Sequence, residues 1–299
     1  MPSELKATIT KATALLTEAK VSSPQVDAEI LLAYVVGVER NELFAAGNLT
    51  TKQVKVFENL VARRANRVPL QHLTGVAYFR HLALAVGPGV FVPRPETELL
   101  VEAAIKHLKT VSSPRIAVDL CSGSGAIALS LALEVPGTTV HAVELSDDAF
   151  KWLTHNVVDH AAKLEAVNSH IVVHHGNAGD RSLLMEFANQ VDALVSNPPY
   201  IPSEMIPRDP EARDHDPAIA LFSGFDGLDV AREVVVVAAE LLKPGGFVGM
   251  EHADVQGESV PALFNSMPNT WSEVQDNLDY NKLPRFTTAV RSVVASVGR

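Results

Sequence analysis

Cysteine is almost absent from this chain of 299 residues, which has Cys121 alone, so no internal disulfide can form. Long apolar runs are also missing, and none approaches the length of a membrane span. The first six residues lack the basic stretch and apolar core of a signal peptide. These absences favour a protein of a reducing compartment, and we expect a cytoplasmic location with no membrane partner.

Positive charge is scarce outside the first quarter of the chain. The net charge is −10, but residues 1–70 carry nine Lys/Arg against seven Asp/Glu, while the remainder carries 16 against 28. Proteins bind long nucleic acids mainly by neutralising phosphates. The acidic remainder therefore argues against stable nucleic-acid binding. We also expect a monomer.

The apolar spacing in residues 4–67 predicts helices, one of which Thr50 or Thr51 can cap. Residues 76–92 change to apolar positions set among Gly and Pro, a pattern typical of a hairpin. We therefore expect a helical substrate-docking domain over residues 1–75 and a β-hairpin linker over 76–92.

From residue 115 onward, apolar strands alternate with helices. The predicted strands are 116–120, 139–144, 171–173, 193–195 and 247–251, and the predicted helices include 126–133 and 230–242. Such βαβ repetition is typical of a doubly wound, mostly parallel sheet of the Rossmann-like class. We therefore predict an α/β fold, with a catalytic domain over residues 93–299.

The tetrapeptide Asn197-Pro198-Pro199-Tyr200 follows an apolar run. The Asn197 side-chain oxygen and the Pro198 carbonyl are hydrogen-bond acceptors, and neither proline has an N–H. Tyr200 offers an aromatic face on which a flat group can stack. The loop therefore predicts a site for an –NH₂ group on an sp² carbon, in either an amide or a nucleobase.

A loop of small residues, 119–125, lies between a predicted strand and a predicted helix. Small residues let the backbone approach a ligand, and the helix N-terminus lies behind them. Glu144 ends the following strand, where a carboxylate can accept hydrogen bonds from both ribose hydroxyls of a nucleoside. Loop and carboxylate together predict a nucleoside ligand, although tight βα turns also use glycine for structural reasons alone.

The same loop is poorly suited to phosphate. It lacks the Gly-Lys-Ser/Thr ending of a P-loop and the full spacing of a dinucleotide fold, because Cys121 takes the first glycine position. Asp119 adds negative charge, which disfavours pyrophosphate and suits a ligand with an ammonium and a sulfonium. S-adenosylmethionine therefore fits better than NAD.

The chain resembles the class I S-adenosylmethionine-dependent methyltransferases and, more narrowly, the release-factor glutamine N5-methyltransferases. The match lies in residues 89–100, 119–125 and 196–201, with support from 226–229 and 243–246. The Asn-Pro-Pro-Tyr tetrapeptide is shared with amino-methylating DNA and RNA enzymes, whereas the Pro-Arg-Pro-Glu-Thr-Glu segment is far more specific to the glutamine enzymes. The helical front and hairpin match too, so the resemblance covers nearly the whole chain.

This resemblance implies methyl transfer from S-adenosylmethionine to the N5 of the glutamine in the Gly-Gly-Gln tip of bacterial class 1 peptide release factors. The helical front domain would help to dock the factor, and no metal is expected. The catalytic residues implied are Asn197, Pro198 and Tyr200, and the substrate-binding residues are Asn197, Pro198, Pro199, Tyr200 and Arg94. The cofactor-binding residues implied are Phe91, Asp119, Cys121, Ser122, Gly123, Ser124, Gly125, Glu144, Asn177, Ala178 and Asn197.

Two departures from the family pattern concern the cofactor. Cys121 stands where the family usually has glycine, so its thiol must point away from the cofactor or shift it. Asn177 and Ala178 stand where the family often has an acid and an aromatic residue, so stacking on adenine is lost. We expect weaker binding of the same cofactor.

Other polar residues admit a purely structural interpretation. His174 and His175 are adjacent on a strand and face opposite sides, so they cannot share a metal. Cys121 has no charged base beside it in sequence and is interpreted as a small buried residue. Arg94 either holds the substrate or ties the linker to the domain, and the polar loop 208–216 is either a mobile lid or a solvated surface segment.

Other functions remain open at this point. An N6-adenine or N4-cytosine methyltransferase would use the same tetrapeptide, but it should flip a base and present a basic groove. A related glutamine methyltransferase would act on another protein, such as a ribosomal protein. A non-catalytic nucleoside-binding module is disfavoured because Asn197 and Glu144 are both present.

Overall fold

A computed structural model describes residues 3–293, and the contacts among them divide the chain into two units. The first unit takes in the described residues up to Val76, together with Val86–Pro88 and Ile206–Asp216. The second holds Ala77–Ala85, Gly89–Met205 and the described residues from Pro217 onward. The predicted domain limits at residues 75 and 92 stay a prediction.

Helices and strands account for most of the described range. The α-helices are α1 (Ser3–Glu18), α2 (Pro24–Val36), α3 (Thr51–Ala65), α4 (Leu70–Thr74), α5 (Thr97–Leu108), α6 (Ala126–Glu134), α7 (Asp147–Asp159), α8 (Ala161–Ala166), α9 (Pro210–His215), α10 (Asp229–Leu241) and α11 (Ser259–Asn265). The strands are β1 (Val76–Phe79), β2 (Leu82–Ala85), β3 (Arg115–Leu120), β4 (Thr138–Glu144), β5 (His170–His175), β6 (Val191–Ser196), β7 (Leu242–Glu251), β8 (Trp271–Leu278) and β9 (Pro284–Arg291). Among these helices, none combines the length and apolarity that a membrane crossing requires.

The first unit is a helical bundle with its own core. Thr50 caps α3, because its hydroxyl accepts the Gln53 N–H at 3.2 Å while the Gln53 side chain accepts the Thr50 N–H at 2.9 Å. Gly37 follows the last turn of α2 with a φ of +80°, a common helix ending. Leu31 and Phe57 are buried where the helices meet. The unit is thus held by apolar packing between well-delimited helices.

The second unit is built on a seven-stranded sheet in the order β5-β4-β3-β6-β7-β9-β8. The strands from β5 to β7 pair in parallel, and β9 is antiparallel to both β7 and β8. Neighbouring residues of β3 enter different core clusters, Ala117 on one face and Val118 on the other, so both faces are covered. The predicted doubly wound, mostly parallel fold is confirmed, and β1 with β2 forms the predicted hairpin.

The sheet differs from the prediction in two places. β7 begins at Leu242, ahead of the predicted Phe247, and its pairing with β6 jumps between these two residues, which leaves an irregularity around Gly245. The antiparallel strands β8 and β9 were not predicted. Polar residues interrupt both strands, and β8 also contains exposed ones, so neither strand has the apolar run that marks a buried strand.

The strand order reverses between β3 and β6, which lie side by side and continue outward through β4 and β7. Leu120, the last residue of β3, pairs with Ser196, the last residue of β6. The loops that follow these strands therefore leave the sheet next to each other. Open α/β sheets bind ligands at such a switch point, outside the carboxyl ends of the strands.

Candidate active site

The loop after β3 contains an uncommon backbone conformation at a residue other than glycine. Cys121 has a φ of +65°, in the left-handed region that disfavours side chains with a Cβ. Its side chain packs against the core cluster that contains Val118, and burial raises the pKa of the thiol, which keeps it protonated. Cys121 is therefore a packed, unreactive residue in a position whose geometry favours glycine.

Asp119 is a fully buried acid near the end of β3. One carboxylate oxygen, Oδ2, accepts the Ala128 N–H at 3.1 Å, while Oδ1 has no hydrogen-bond partner within the described part of the chain. Burial, with a further contribution from the charge of Glu144, raises the pKa of Asp119 to about 8. A ligand cation or N–H donor near this carboxyl would satisfy it and lower that pKa.

Glu144, at the end of β4, braces the same loop. Its Oε2 accepts the Gly123 N–H and its Oε1 accepts the Ser146 N–H, each at 2.8 Å. The side chain is buried, and these two bonds fix the plane of the carboxylate. A carboxylate has about four acceptor positions, so both oxygens can still accept bonds from vicinal hydroxyls.

Asn177 and Ala178 follow β5 at the same edge of the sheet. The Asn177 side-chain oxygen accepts the Gly179 N–H at 2.9 Å, and its backbone carbonyl accepts the Asp180 N–H at 3.0 Å. Ala178 is buried and lines a small cavity with Leu120 and Val143. An aromatic platform is thus missing at this position, as the sequence predicts.

The residues around β3 and β4 fit a cationic nucleoside better than a phosphate-bearing one. Residues 119–125 and Glu144 contain no Lys or Arg to neutralise a pyrophosphate. The unpartnered Asp119 oxygen suits a cation, and the braced Glu144 carboxylate suits a ribose. The structure brings these predicted residues to one edge of the sheet, next to the loop that follows β6.

Asn197 begins that neighbouring loop, and its side-chain amide is held from one side. Its Nδ2 donates to Thr97 Oγ1 at 3.3 Å, and the Thr97 hydroxyl donates to Glu251 Oε2 at 2.7 Å. The Nδ2 group is therefore occupied by the protein, while Oδ1 is the acceptor available to a ligand. Pro198 is buried, and Pro199 and Tyr200 are half-buried.

The far end of the tetrapeptide is anchored through its backbone. The Tyr200 carbonyl accepts a hydrogen bond from Gln256 Nε2 at 3.0 Å. Gly227, with a φ of +77°, passes so close that a Cβ there would lie 2.3 Å from the same carbonyl oxygen. Burial and the nearby Glu251 carboxylate raise the pKa of the Tyr200 phenol, which keeps it neutral. The tetrapeptide is therefore a stiff loop with fixed acceptors.

The segment before α5 contains Phe91 and Arg94. The Arg94 guanidinium carbon lies 5.0 Å from the centre of the Phe91 ring, within the range of a cation–π contact. This contact holds the two side chains against each other, and it does not decide whether Arg94 binds the substrate or ties the linker to the domain. Both roles given for Arg94 above stay predictions, as does the placing of Phe91 near the cofactor.

Two domain families match consecutive parts of this chain. The PrmC N-terminal domain matches residues 7–75, and the methyltransferase small domain matches residues 87–206. The release factor glutamine methyltransferase of Streptomyces coelicolor is 49% identical over 292 residues, which cover 97% of this chain and 99% of the relative. The chain belongs to the release factor glutamine methyltransferase family.

Two further relatives of this family are similar. The release factor glutamine methyltransferase of Mycolicibacterium smegmatis is 42% identical over 96% of this chain and 98% of the relative. A solved release-factor-specific protein-(glutamine-N5) methyltransferase from Alicyclobacillus acidocaldarius is 28% identical, with a TM-score of 0.42 over 70% of this chain and 99% of that chain.

Sequence reasoning missed two residues of the site in this glutamine methyltransferase. Thr97 lies within the family-specific segment and Glu251 is the last residue of a predicted strand, but neither was predicted to belong to the site. A signal for Glu251 was present, because it closes an apolar strand in the same manner as Glu144 closes β4. No local pattern predicts the hydrogen bond between Thr97 and Glu251, which are 154 residues apart in the sequence.

The polar loop 208–216 of this family member also differs from its prediction. It was expected as a lid or a solvated segment, but it contains α9 and belongs to the first unit. Glu211 of α9 is buried, with Oε1 2.8 Å from Arg64 Nη1 and Oε2 2.5 Å from Arg67 Nη2. The expectation of solvated charges is therefore wrong for Glu211.

Proposed function

We propose that this enzyme transfers a methyl group from S-adenosylmethionine to the N5 of the glutamine in the Gly-Gly-Gln motif of class 1 peptide release factors. The observation that carries the proposal is the orientation of the Asn197 amide, whose Nδ2 is occupied by Thr97 while its Oδ1 is left as an acceptor. An acceptor of this kind suits a planar –NH₂ group, and family membership favours glutamine over a nucleobase.

The cofactor would lie at the edge formed by β3, β4 and β5. Asp119 and residues 121–125 would hold its methionine end, Glu144 the ribose hydroxyls, and Asn177 with Ala178 the adenine border. When bound, S-adenosylmethionine supplies an electrophilic methyl group on a sulfonium centre. The protein's own contribution is to bind this cation without a competing basic side chain in residues 119–125.

The substrate amide would be held by two acceptors of the tetrapeptide. An amide nitrogen is a weak nucleophile because its lone pair is delocalised into the carbonyl. Asn197 Oδ1 and the Pro198 carbonyl would accept its two N–H groups, which fixes the nitrogen and favours the positive charge that develops on it. Tyr200, kept neutral by its surroundings, would provide an apolar face for the flat amide.

No general base is required in this scheme. The nitrogen becomes acidic when it carries positive charge, so its extra proton can leave to water. The residues of the site act by orientation and by fixed dipoles, which cost no reorganisation at the moment of reaction. This agrees with the absence of a titratable base among residues 197–200 other than the tyrosine.

The helical front domain, over residues 1–75, would dock the release factor while the tip that carries the glutamine enters the site. We propose a cytoplasmic location, since release factors act on cytoplasmic ribosomes and the one cysteine is a free thiol. The monomeric state is part of the same proposal.

The experiment uses radiolabelled S-adenosylmethionine with a purified class 1 release factor, the same factor with the tip Gln→Ala substitution, a ribosomal-protein fraction and a DNA duplex. Label is expected on the unaltered factor alone. Label on DNA would identify the nucleic-acid alternative, label on the ribosomal-protein fraction would identify another protein acceptor, and label persisting on the Gln→Ala factor would contradict the glutamine site.

A further inference from the structure

The Asn197 side chain is the last member of a hydrogen-bonded series that begins at a buried carboxylate. Glu251 Oε2 accepts the Thr97 hydroxyl proton at 2.7 Å, and Thr97 Oγ1 lies 3.3 Å from Asn197 Nδ2. A hydroxyl has one proton and two lone pairs. Since that proton is engaged by Glu251, Thr97 can only accept from Asn197, and an Asn197 amide turned by 180° would place two acceptors face to face.

The three residues come from separate elements that the sheet brings together. Asn197 follows β6 and Glu251 ends β7, and the neighbouring residues Ser196 and Met250 are paired in the sheet. Thr97 is the first residue of α5, and only 4% of its surface is exposed. Glu251 is 2% exposed. Because water is excluded, the hydrogen bonds of the series are stronger than they would be at the surface.

We propose that Thr97 and Glu251 are positioning residues, which lock the Asn197 amide in one orientation and strengthen its Oδ1 as an acceptor for the substrate N–H. This inference rests on the proposed function, and it adds the two residues that orient the Asn197 amide. The negative charge of Glu251 polarises the Asn197 amide, both through the Thr97 hydroxyl and through its own interaction with the Asn197 side chain. More negative charge therefore resides on Oδ1, where positive charge develops on the substrate.

The charged groups around Glu251 decide when it is ionised. Arg285 on β9 attracts its negative charge, while Glu96 before α5 repels it. Burial is the largest effect and raises the pKa of Glu251 to about 7, against the lowering effects of the Thr97 hydrogen bond, of Arg285 and of the Asn197 side chain. The neutral Tyr200 is also close, and the adjacent His252 faces Asp276 at 3.1 Å.

The first test compares three threonine variants by turnover at saturating cofactor. Thr97→Val keeps the shape but removes the hydroxyl, and we expect kcat to fall about tenfold or more, since an unfixed dipole is a weaker catalyst. Thr97→Ser keeps the hydroxyl and is expected to restore turnover. Thr287→Val is the matched control, because Thr287 is also fully buried in this unit, and its hydroxyl has no hydrogen-bond partner among the described residues.

The second test needs no release factor, so it separates this inference from the proposed function. In ¹⁵N-labelled full-length protein, the Asn197 side-chain NH₂ signals are identified by their loss in Asn197→Ala. We expect them to shift toward the position of a free asparagine in Thr97→Val, and to stay in place in Thr97→Ser and Thr287→Val. The chemical shifts of these signals should also change with pH as Glu251 ionises, and Glu251→Gln should abolish this pH dependence.

The outcomes are distinct. If the unaltered enzyme labels the release factor while Thr97→Val matches it in kcat and in the Asn197 signals, the positioning inference is overturned and the proposed function stands. If the unaltered enzyme leaves the factor unlabelled, the proposed function fails, and the Asn197 signals still decide between a locked and a free amide.

Discussion

The backbone N–H of Gly123 donates a 2.8 Å hydrogen bond to the carboxylate of Glu144. One acid therefore both shapes the loop after β3 and lies at the edge of the sheet where we propose that the cofactor binds. Glu144→Gln replaces one acceptor oxygen by a donor and sets two donors against each other. We expect cofactor affinity to fall about tenfold to a hundredfold, which corresponds to a loss of roughly 1–3 kcal/mol of binding free energy. Calorimetric titration with S-adenosylmethionine measures it. Asp159→Asn, at an exposed carboxylate of the same unit, should leave the affinity unchanged.

The left-handed backbone of Cys121 predicts that a glycine at this position is tolerated better than a valine. Cys121→Val places a β-branched residue at a φ of +65° and should lower the free energy of unfolding by about 2 kcal/mol. Cys121→Gly relieves the strain but frees the unfolded chain, so it should stay within about 1 kcal/mol of the original. Urea denaturation measures both, and equal stability of the two variants would contradict the strain.

Glu211 predicts a pH-dependent stability. Burial acts to raise the pKa of Glu211, but hydrogen bonds with Asp209, Arg67 and Arg64 outweigh it and place the pKa well below its ordinary value of 4.5. A depressed folded pKa stabilises the protein above the unfolded value, and this stabilisation is lost as pH falls from about 4.5 through the folded pKa. Glu211→Gln should cost about 3 kcal/mol at neutral pH, because the buried Arg64 and the half-buried Arg67 each lose an anionic partner, and only Arg64 keeps another, Asp27.

Denaturant midpoints measured between pH 7 and pH 3 check the Glu211 prediction. The variant should lose stability less steeply than the original protein over that interval. Asp214→Asn is the matched control, since its ion pair with Arg213 is exposed and should contribute little. A variant whose pH dependence parallels that of the original protein would show that Glu211 does not carry the effect.

Asn197→Ala removes the acceptor on which the proposed chemistry depends. At saturating cofactor we expect kcat to fall about a hundredfold, as for the loss of one preorganised dipole in other active sites. The affinity for S-adenosylmethionine should change little. Asn281→Ala, at an exposed turn, serves as the control. Near-full turnover of the Asn197 variant would rule out the proposed role of Asn197 Oδ1 as an acceptor for the substrate amide.

Gly227 predicts a backbone effect on the same loop. An alanine Cβ at this position would lie 2.3 Å from the Tyr200 carbonyl oxygen, and its φ of +77° adds strain of about 1–3 kcal/mol. Gly227→Ala should therefore displace the tetrapeptide and lower both turnover and Tm. Gly47→Ala, where nothing lies within 4 Å of the added carbon, should change neither.

Sequence patterns predicted the parts of the fold and site that are local. Strands β3, β4, β6 and the second half of β7 are mostly buried, so their sequences are largely apolar. Asp119, Glu144 and Asn197 each lie at or next to a strand end, beside a recognisable motif. The antiparallel strands escaped prediction because β8 alternates with exposed polar residues such as Glu273.

Contacts between distant residues could not be predicted in this way. The Thr97–Glu251 hydrogen bond and the Arg64–Glu211 ion pair each join residues more than a hundred positions apart. Nothing in either local segment distinguishes a buried partner from a solvated one. Only the packing of the elements decides that Glu211 is covered while Asp214, on the same helix, is exposed.

The membership of α9 in the first unit makes the helical front discontinuous in sequence. A fragment that stops at residue 75 would carry Arg64 and Arg67 without Glu211, so Arg64 would keep only Asp27 as an ion-pair partner and Arg67 would lose its pair with Glu211. Exchange of the front domain between relatives would therefore succeed only when residues 206–216 travel with it. Residues 206–216 follow the tetrapeptide in sequence, yet Glu211 pairs with Arg64 and Arg67, so this stretch must keep its acid wherever the first quarter of the chain keeps those two arginines.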